Sequence, residues 1–246
     1  GRMPERPYVL VAQQYLAAGS SDIDIYPVDV VWPGMLGTYF ADLKPYFSKK
    51  DLAKFDPSAI AANTVGGKLV GVPFYGDVGL FYYRTDLLKK YGYSAPPATW
   101  EEMRTMAAKI VNGERGEGKA NFWGYVFDGA AYEGLTCNTL EWVASYGGGT
   151  FVDAKGKITI NNPKAVAAFA EVAKWVGTIV PPGVTSYKTE DARGVWQAGN
   201  AAFMRNWSFA YALGQSNDSP IKDKFAIGMV PHGPGGKSLR DRKSTR

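Results

Sequence analysis

Short apolar runs alternate with helical patterns along the 246-residue chain. The apolar runs predict strands at residues 24–31, 69–72, 80–83, 124–127, 201–205 and 225–230. Helical spacing and helix start and stop residues predict helices at 7–20, 101–112, 135–146, 163–176 and 191–198. Such alternation favours an α/β fold with mainly parallel sheets. No long linker separates two folding units, so two lobes would have to be joined by strands that cross between them.

Helix-capping residues support two of these helices. Thr99 and Glu102 form a capping box, and Asn162 with Pro163 begins a later helix. The predicted buried positions are Met103, Met106, Ala107 and Ile110 in the first helix, and Val166, Phe169, Val172 or Ala173, and Val176 in the second. The first helix is predicted to end at Asn112-Gly113, with a polar loop over 113–121.

The composition, 46% apolar and 21% charged, is that of an ordinary globular chain long enough for one large or two small domains. No apolar run is long enough to span a bilayer. Of the net charge of +5, residues 240–246 carry +3. We interpret 239–246 as a solvated, non-native tail, since the rest of the chain has no basic stripe for nucleic acid.

Cys137 and His232 are the only cysteine and the only histidine, which limits the available chemistry. Any nucleophilic triad would have to use His232, and a zinc site would lack its usual ligand cluster. The segment 231–238 resembles a phosphate-binding loop but has Pro231 in place of the first glycine. The sequence therefore predicts no cofactor and no metal.

Three acids lie where a ligand could meet them. Asp29 is placed near the end of the first predicted strand, Asp77 at a break between two strands beside Tyr75, and Glu133 at a helix start. Ligands of open α/β sheets bind beyond the carboxyl ends of strands. The alternatives are turn or capping aspartates, and for Glu133 a simple interaction with the helix dipole. Tyr75 could stack on a ligand or belong to the core.

Arg205, Asn206 and Trp207 form a trio that suits a sugar, which has an apolar ring face and a polar rim. The alternative places Trp207 in the core and Arg205 in a surface salt bridge. A glycoside hydrolase with two carboxylates is a second hypothesis, because spacing does not exclude such a pair. A binding module for a non-sugar solute, such as a polyamine or an iron complex, is a third.

Several segments resemble the extracellular solute-binding proteins of sugar ABC transporters, in particular the trehalose/maltose-binding group. They include Asp29-Val-Val-Trp-Pro-Gly34, Phe203-Met-Arg-Asn-Trp207 and residues 16–24, 66–88, 96–102 and 132–138. The resemblance covers about residues 11 to 237. It implies an α/β fold of periplasmic-binding-protein type II, with two lobes and an interlobe ligand cleft. The first lobe is expected at 1–75 and again at 227–238, and the second at 76–226.

The same resemblance implies that the protein binds a disaccharide of trehalose, maltose or sucrose type, without catalysis, and delivers it to ABC transporter membrane permease subunits. Asp29 and Asp77 match sugar-binding acids and Trp207 a stacking aromatic, with Glu133, Arg205 and Tyr75 as further candidates. We expect a monomer that is extracellular or periplasmic, or lipid-anchored to the outer face of the membrane. Both ends depart from the family pattern, which predicts a fragment with an incomplete first lobe and an unpaired sheet edge.

Overall fold

The structure, a computed structural model, describes residues 5–153 and 155–234. The chain divides into two compact units at Gly76–Asp77, and the division into two lobes stays a prediction. The predicted tail at 239–246 lies outside the described residues. Among the helices of the described ranges, none is long and apolar enough to cross a membrane.

The first unit is mostly helical. Its elements are α1 (Glu5–Ala17), α2 (Pro33–Leu36), a 3₁₀ helix (Lys44–Tyr46), α3 (Lys49–Leu52), α4 (Pro57–Ala62), β1 (Thr64–Val65) and β2 (Lys68–Leu69). β1 and β2 form an antiparallel hairpin. Its turn residues Gly66 and Gly67 have φ of 55° and 81°, the left-handed values that a two-residue hairpin turn requires.

The strand predicted at 24–31 is wrong, because no strand is present there. Pro27 has no N–H to donate, and no other strand of the described residues pairs with this segment. Several of its apolar side chains are instead exposed, Ile25 to 85% and Val30 to 64%. Tyr8 of α1 contacts the segment, since its hydroxyl donates to the Pro27 carbonyl at 3.1 Å.

The second unit surrounds one mixed sheet. Its elements are β3 (Gly79–Arg84), α5 (Thr85–Lys90), α6 (Trp100–Gly116), β4 (Trp123–Val126), α7 (Glu133–Ser145), α8 (Pro163–Trp175), a 3₁₀ helix (Pro182–Ser186), α9 (Thr189–Gln197), β5 (Ala201–Trp207), α10 (Phe209–Gly214) and β6 (Phe225–Gly228). The strand order is β4-β5-β3-β6. Only β4 and β5 are parallel, whereas β3 is antiparallel to both β5 and β6.

The prediction of mainly parallel sheets is therefore wrong for this unit. The alternation of strands and helices along the chain does not determine the direction of each strand. β3 runs in the opposite direction to β5. The sequence predicts that the chain returns to the first lobe at 227–238. The first two of these residues, Ile227 and Gly228, end β6 and pair with β3 in the second unit.

Aromatic side chains on the two faces of the sheet form the core of the second unit. On one face Phe81 stacks on Phe203, with 5.5 Å between ring centroids, and packs edge-on against Trp100. On the other face Tyr82 packs against Trp196 at 5.4 Å. Each fully buried ring of this kind contributes about 1.5–3 kcal/mol. The sheet is thus packed between helices on both sides.

The capping box of Thr99 and Glu102 is confirmed, but α6 continues to Gly116, beyond the predicted stop at 112–113. The extra turn is stabilised by Glu114, which is fully buried. Its carboxylate accepts hydrogen bonds from Lys90 at 2.6 Å, from Tyr91 at 3.0 Å and from Lys119. Glu114 was predicted to lie in a polar loop, but it is the centre of a buried ion-pair cluster.

The buried face of α8 is also different from the prediction. Asn162 caps the helix as expected, accepting from the amides of Lys164 and Ala165. The buried positions are Ala165, Ala168, Val172 and Trp175, while Val166 and Phe169 are exposed. The buried face is therefore shifted by about one residue from the predicted one, so that the small side chains of Ala165 and Ala168 face the core.

Candidate functional site

Strand directions bring the candidate residues of the second unit to one end of its strands. This end, where the carboxyl ends of β4 and β5 and the start of β3 lie, is here called the sheet edge. β4 and β5 are parallel, so their carboxyl ends lie at the same edge. β3 is antiparallel to β5, and its first residue, Gly79, pairs with Trp207 at the end of β5. Asp77, which precedes β3, and the residues that follow β4 are thereby collected at this edge, where ligands of open sheets bind.

Asp77 presents a carboxylate with one oxygen engaged. Its Oδ1 accepts from the amide of Ser208 at 2.8 Å, from the Ser208 hydroxyl at 2.5 Å and from the amide of Val78 at 3.0 Å. Oδ2 accepts no hydrogen bond from any described residue, and the side chain is exposed. The group is therefore fixed in orientation and retains an acceptor for a hydroxyl.

Arg205 lies inside the protein, only 1% exposed, and is paired with Glu141 of α7. Its Nε donates to Glu141 Oε2 at 3.0 Å and its Nη2 donates to Oε1 at 2.5 Å. Burial opposes the charge of Arg205, but the adjacent Glu141 carboxylate outweighs it and raises the pKa of the guanidinium. Arg205 is thus neither a surface salt bridge nor an exposed rim donor.

Trp207 lies over this ion pair. The carbon at the centre of the Arg205 guanidinium is 4.1 Å from the centroid of the Trp207 ring, a cation–π distance. The backbone of Trp207 is held on both sides, since its N–H donates to Asn206 Oδ1 at 2.8 Å and its carbonyl accepts from the Tyr82 hydroxyl at 2.7 Å. The ring itself is only half-buried, so one of its faces is covered by Arg205 and part of it reaches solvent.

Asp128, two residues beyond β4, lies beneath the same edge and is fully buried. Thr189 donates its hydroxyl to Asp128 Oδ2 at 3.2 Å, and the Tyr132 hydroxyl lies 2.8 Å from that Thr189 hydroxyl. Burial raises the pKa of Asp128 to about 6, although the positive charge of Arg205 partly offsets it. This chain of hydrogen bonds ties the start of α7 to the start of α9.

Glu133 begins α7 and heads a polar stripe on that helix. Cys137, one turn later, donates its thiol to Glu133 Oε1 at 2.8 Å, and Glu141 follows after another turn. Burial, and then the hydrogen bond to Glu133, raises the pKa of the Cys137 thiol well above its usual range. The thiol is therefore a hydrogen-bond donor and not a nucleophile.

The remaining two candidates, Asp29 and Tyr75, belong to the first unit. Asp29 does not end a strand; its Oδ1 accepts from the amide of Val31 at 3.2 Å and its carbonyl from the amide of Trp32 at 2.9 Å. It therefore begins the turn that leads into α2. Tyr75 is 80% exposed, with its ring edge-on to Phe74 at 6.0 Å.

Sequence reasoning did not select two members of this cluster, Asp128 and Thr189, and it left Glu141 open between a solvated position and one that points into a cleft. Asp128 follows a predicted strand, and the rule that selected Asp29 would also have selected it. The roles of Glu141 and Thr189 depend on contacts to Arg205 and Asp128, more than 60 positions away in the chain. Within the described residues, no three His, Cys, Asp or Glu side chains are grouped to hold a metal ion.

The fold, with the polar sheet edge of its second unit beside the Trp207 ring, is that of a solute-binding protein of the periplasmic-binding-protein type II class. The family model described as "Bacterial extracellular solute-binding protein" matches residues 9–245, and the chain belongs to that family.

Similarity to individual proteins is substantial. A "Probable ABC transporter-binding protein" of Deinococcus radiodurans is 54% identical over 225 residues, which make up 92% of this chain and 53% of that protein. The structure of maltose-bound T. maritima MalE3 is 42% identical, with a TM-score of 0.86, and is matched over 95% of this chain and 58% of its own. A solute-binding protein of Agrobacterium radiobacter K84 in complex with ribitol has the same fold at 23% identity, with a TM-score of 0.82, over 96% of this chain and 59% of its own. The chain thus spans little more than half the length of these relatives.

Proposed function

We propose that this protein binds a disaccharide of maltose, trehalose or sucrose type and delivers it to the membrane permease subunits of an ABC importer. The observation that carries the proposal is the half-buried ring of Trp207, which rests on Arg205 at the sheet edge that also presents Asp77. The similarity to the maltose-bound T. maritima protein supports it. The protein would act as a monomer on the outer side of the cell membrane, either unattached or lipid-anchored.

Each residue has a role that suits its chemistry. Trp207 stacks on the apolar face of a sugar ring, and Asp77 accepts a hydrogen bond from a sugar hydroxyl through Oδ2. Glu133 contributes a second acceptor from the start of α7. Asp29 and Tyr75 are the proposed contributors from the first lobe.

Hydrolysis is not part of this proposal. A glycosidase needs an acidic carboxyl in contact with the glycosidic oxygen and a second carboxylate across the bond. Asp128 is the carboxyl with the raised pKa, about 6, yet it is 0% exposed and is bonded to Thr189. It therefore serves the structure beneath the site and does not reach a substrate.

Amide NMR tests the proposal, because chemical shifts detect binding even at millimolar Kd. The chain is titrated with maltose, trehalose and sucrose, with mannitol as a polyol for comparison. We expect saturable shifts at the amides of Asp77, Trp207 and Ser208 with at least one disaccharide, and saturation only at tenfold or more higher sugar concentration in Asp77→Asn. Asp218→Asn, at an exposed turn of the same unit, is the control that should keep them. Absence of saturable shifts with all four compounds would refute the proposal.

A further inference from the structure

We propose that Glu141 and Arg205 are positioning residues that fix the plane of the Trp207 ring, so that sugar affinity depends on them although neither touches the sugar. This inference rests on the proposed function and adds to it a role for Glu141. It also replaces the expectation that Arg205 itself binds the ligand.

The ion pair fixes the orientation of the guanidinium. Two separate nitrogens of Arg205, Nε and Nη2, donate to the two oxygens of Glu141. A fork of this kind holds a planar group in one orientation, which a single bond does not. Because the Trp207 ring lies 4.1 Å from the guanidinium carbon, the oriented plane of Arg205 becomes the floor on which the ring rests.

The backbone alone does not determine the direction of the Trp207 ring. Trp207 pairs with Gly79 of β3, which has no side chain to pack against it. A Cβ on Gly79 would collide with the Arg205 guanidinium and the Glu141 carboxylate. The space beside Trp207 is therefore occupied by the ion pair, and this pair replaces the cross-strand side chain that would normally orient the ring.

Burial explains why Arg205 acts through Trp207 and why Glu141 is needed. Arg205 is 1% exposed, so a sugar in contact with solvent-accessible groups meets the Trp207 ring and not the guanidinium beneath it. A buried guanidinium without a carboxylate partner would be strongly unfavourable. Glu141 allows the cation to remain under the ring and also sets its plane.

The opposite edge of the sheet provides a matched control. There Arg115 lies over the ring of Trp123, with 4.4 Å from its central carbon to the ring centroid. Its Nε donates to the Phe122 carbonyl at 3.0 Å, so it has a similar cation–π contact. Trp123 is at the amino end of β4, whereas Trp207 is at the carboxyl end of β5. Arg115→Lys perturbs the same kind of contact away from the proposed site.

The first test is a double-mutant cycle on sugar affinity, with Glu141→Gln, Trp207→Ala and the double variant. Glu141→Gln keeps the size of the side chain and removes its charge. We expect Glu141→Gln to weaken binding several-fold in the original chain and to have no further effect when Trp207 is absent. Equal losses in both backgrounds would overturn the inference, since they would mean that the pair acts independently of Trp207. Arg115→Lys should leave affinity unchanged.

The second test needs no sugar and so separates this inference from the proposed function. The chain is labelled with 5-fluorotryptophan, and the ¹⁹F signal of Trp207 is identified by its loss in Trp207→Phe. We expect Glu141→Gln and Arg205→Lys to shift and broaden that signal while the Trp123 signal stays in place. Arg205→Lys retains the positive charge and loses the flat guanidinium face. It therefore tests whether Arg205 orients the Trp207 ring even if Glu141→Gln does not fold. An unchanged Trp207 signal in a folded variant would overturn the inference, whether or not a sugar binds.

Discussion

Asp77 and Ser208 are 131 positions apart in the chain, and both the amide and the hydroxyl of Ser208 donate to the same oxygen of Asp77. The contact exists because β3 and β5 are antiparallel neighbours. It leaves Oδ2 of the exposed Asp77 carboxylate in a fixed direction at the sheet edge, which makes Asp77 a ligand candidate.

Replacing Asp77 with asparagine should weaken sugar binding by about 1.5–3 kcal/mol, roughly tenfold to a hundredfold in Kd, because a hydroxyl loses a charged acceptor. Calorimetry or NMR titration measures this. Ser208→Ala removes one of the bonds that orient the carboxylate and should give a smaller loss. A full-affinity Asp77→Asn would show that this carboxylate does not touch the sugar.

Replacing Trp207 with alanine should weaken sugar binding by about 1.4 kcal/mol or more, which is tenfold in Kd. Trp207→Phe should retain part of the affinity, since it keeps an aromatic face. Trp123→Ala, at the other edge of the sheet, should leave affinity unchanged. If Trp207→Ala and Trp123→Ala behave alike, the stacking role is contradicted.

Gly79→Ala should lower the free energy of unfolding by about 1–3 kcal/mol, the usual cost of an overpacked site. The added Cβ would collide with the Arg205–Glu141 pair. Chemical denaturation measures the change, and Gly76→Ala is the control because a Cβ there meets no atom within 4 Å. Equal midpoints for the two variants would show that the pair does not occupy the space beside Gly79 in solution.

The buried cluster around Glu114 should make stability fall in acid. Burial opposes the charge, but hydrogen bonds from Lys119 and Lys90 outweigh it and lower the pKa of Glu114 from 4.5 to about 2. A depressed carboxylate pKa stabilises the native state fully above pH 4.5, and this contribution is lost between pH 4.5 and 2.

Glu114→Gln should therefore flatten this part of the pH profile and lower the free energy of unfolding at pH 7 by about 1–3 kcal/mol. Urea denaturation across the acid range is the measurement. A profile for Glu114→Gln that is as steep as the original would assign the acid sensitivity to other carboxylates.

Asp128 should act in the opposite direction. Burial raises the pKa of Asp128 from 3.8 to about 6, so the folded protein holds a proton that the unfolded chain has released between these values. Stability therefore rises as the pH falls from 6 towards 3.8, and the burial of the charge costs most above pH 6.

Asp128→Asn should raise the free energy of unfolding at pH 8 by about 1–3 kcal/mol, since the amide oxygen still accepts from Thr189 without a charge. At pH 4 the variant should be no more stable than the original. Destabilisation by Asp128→Asn at pH 8 would show that the buried charge is favourable, through its attraction to Arg205.

Local signals explain which parts of the fold were predicted correctly. β3, β4, β5 and the starts of α6 and α8 are encoded by nearby residues: short apolar runs in the strands, and the caps Thr99 and Asn162 in the helices. The strand predicted at 24–31 failed because a strand also needs a partner, which no local pattern supplies. The end of α6 was missed because Glu114 is polar by composition and buried through partners distant in the chain.

The sequence by itself determined most strands and longer helices of the second unit and most of the residues worth testing, since capping, apolar runs and family resemblance act over short distances or whole motifs. Only the tertiary structure decided which of these side chains are buried and which reach solvent at the sheet edge. Arg205 and Trp207 are two positions apart in one strand, but the contact to Glu141, 64 positions away, buries the first beneath the second. Such a contact follows from strand order and direction, which are set by the packing of the whole unit.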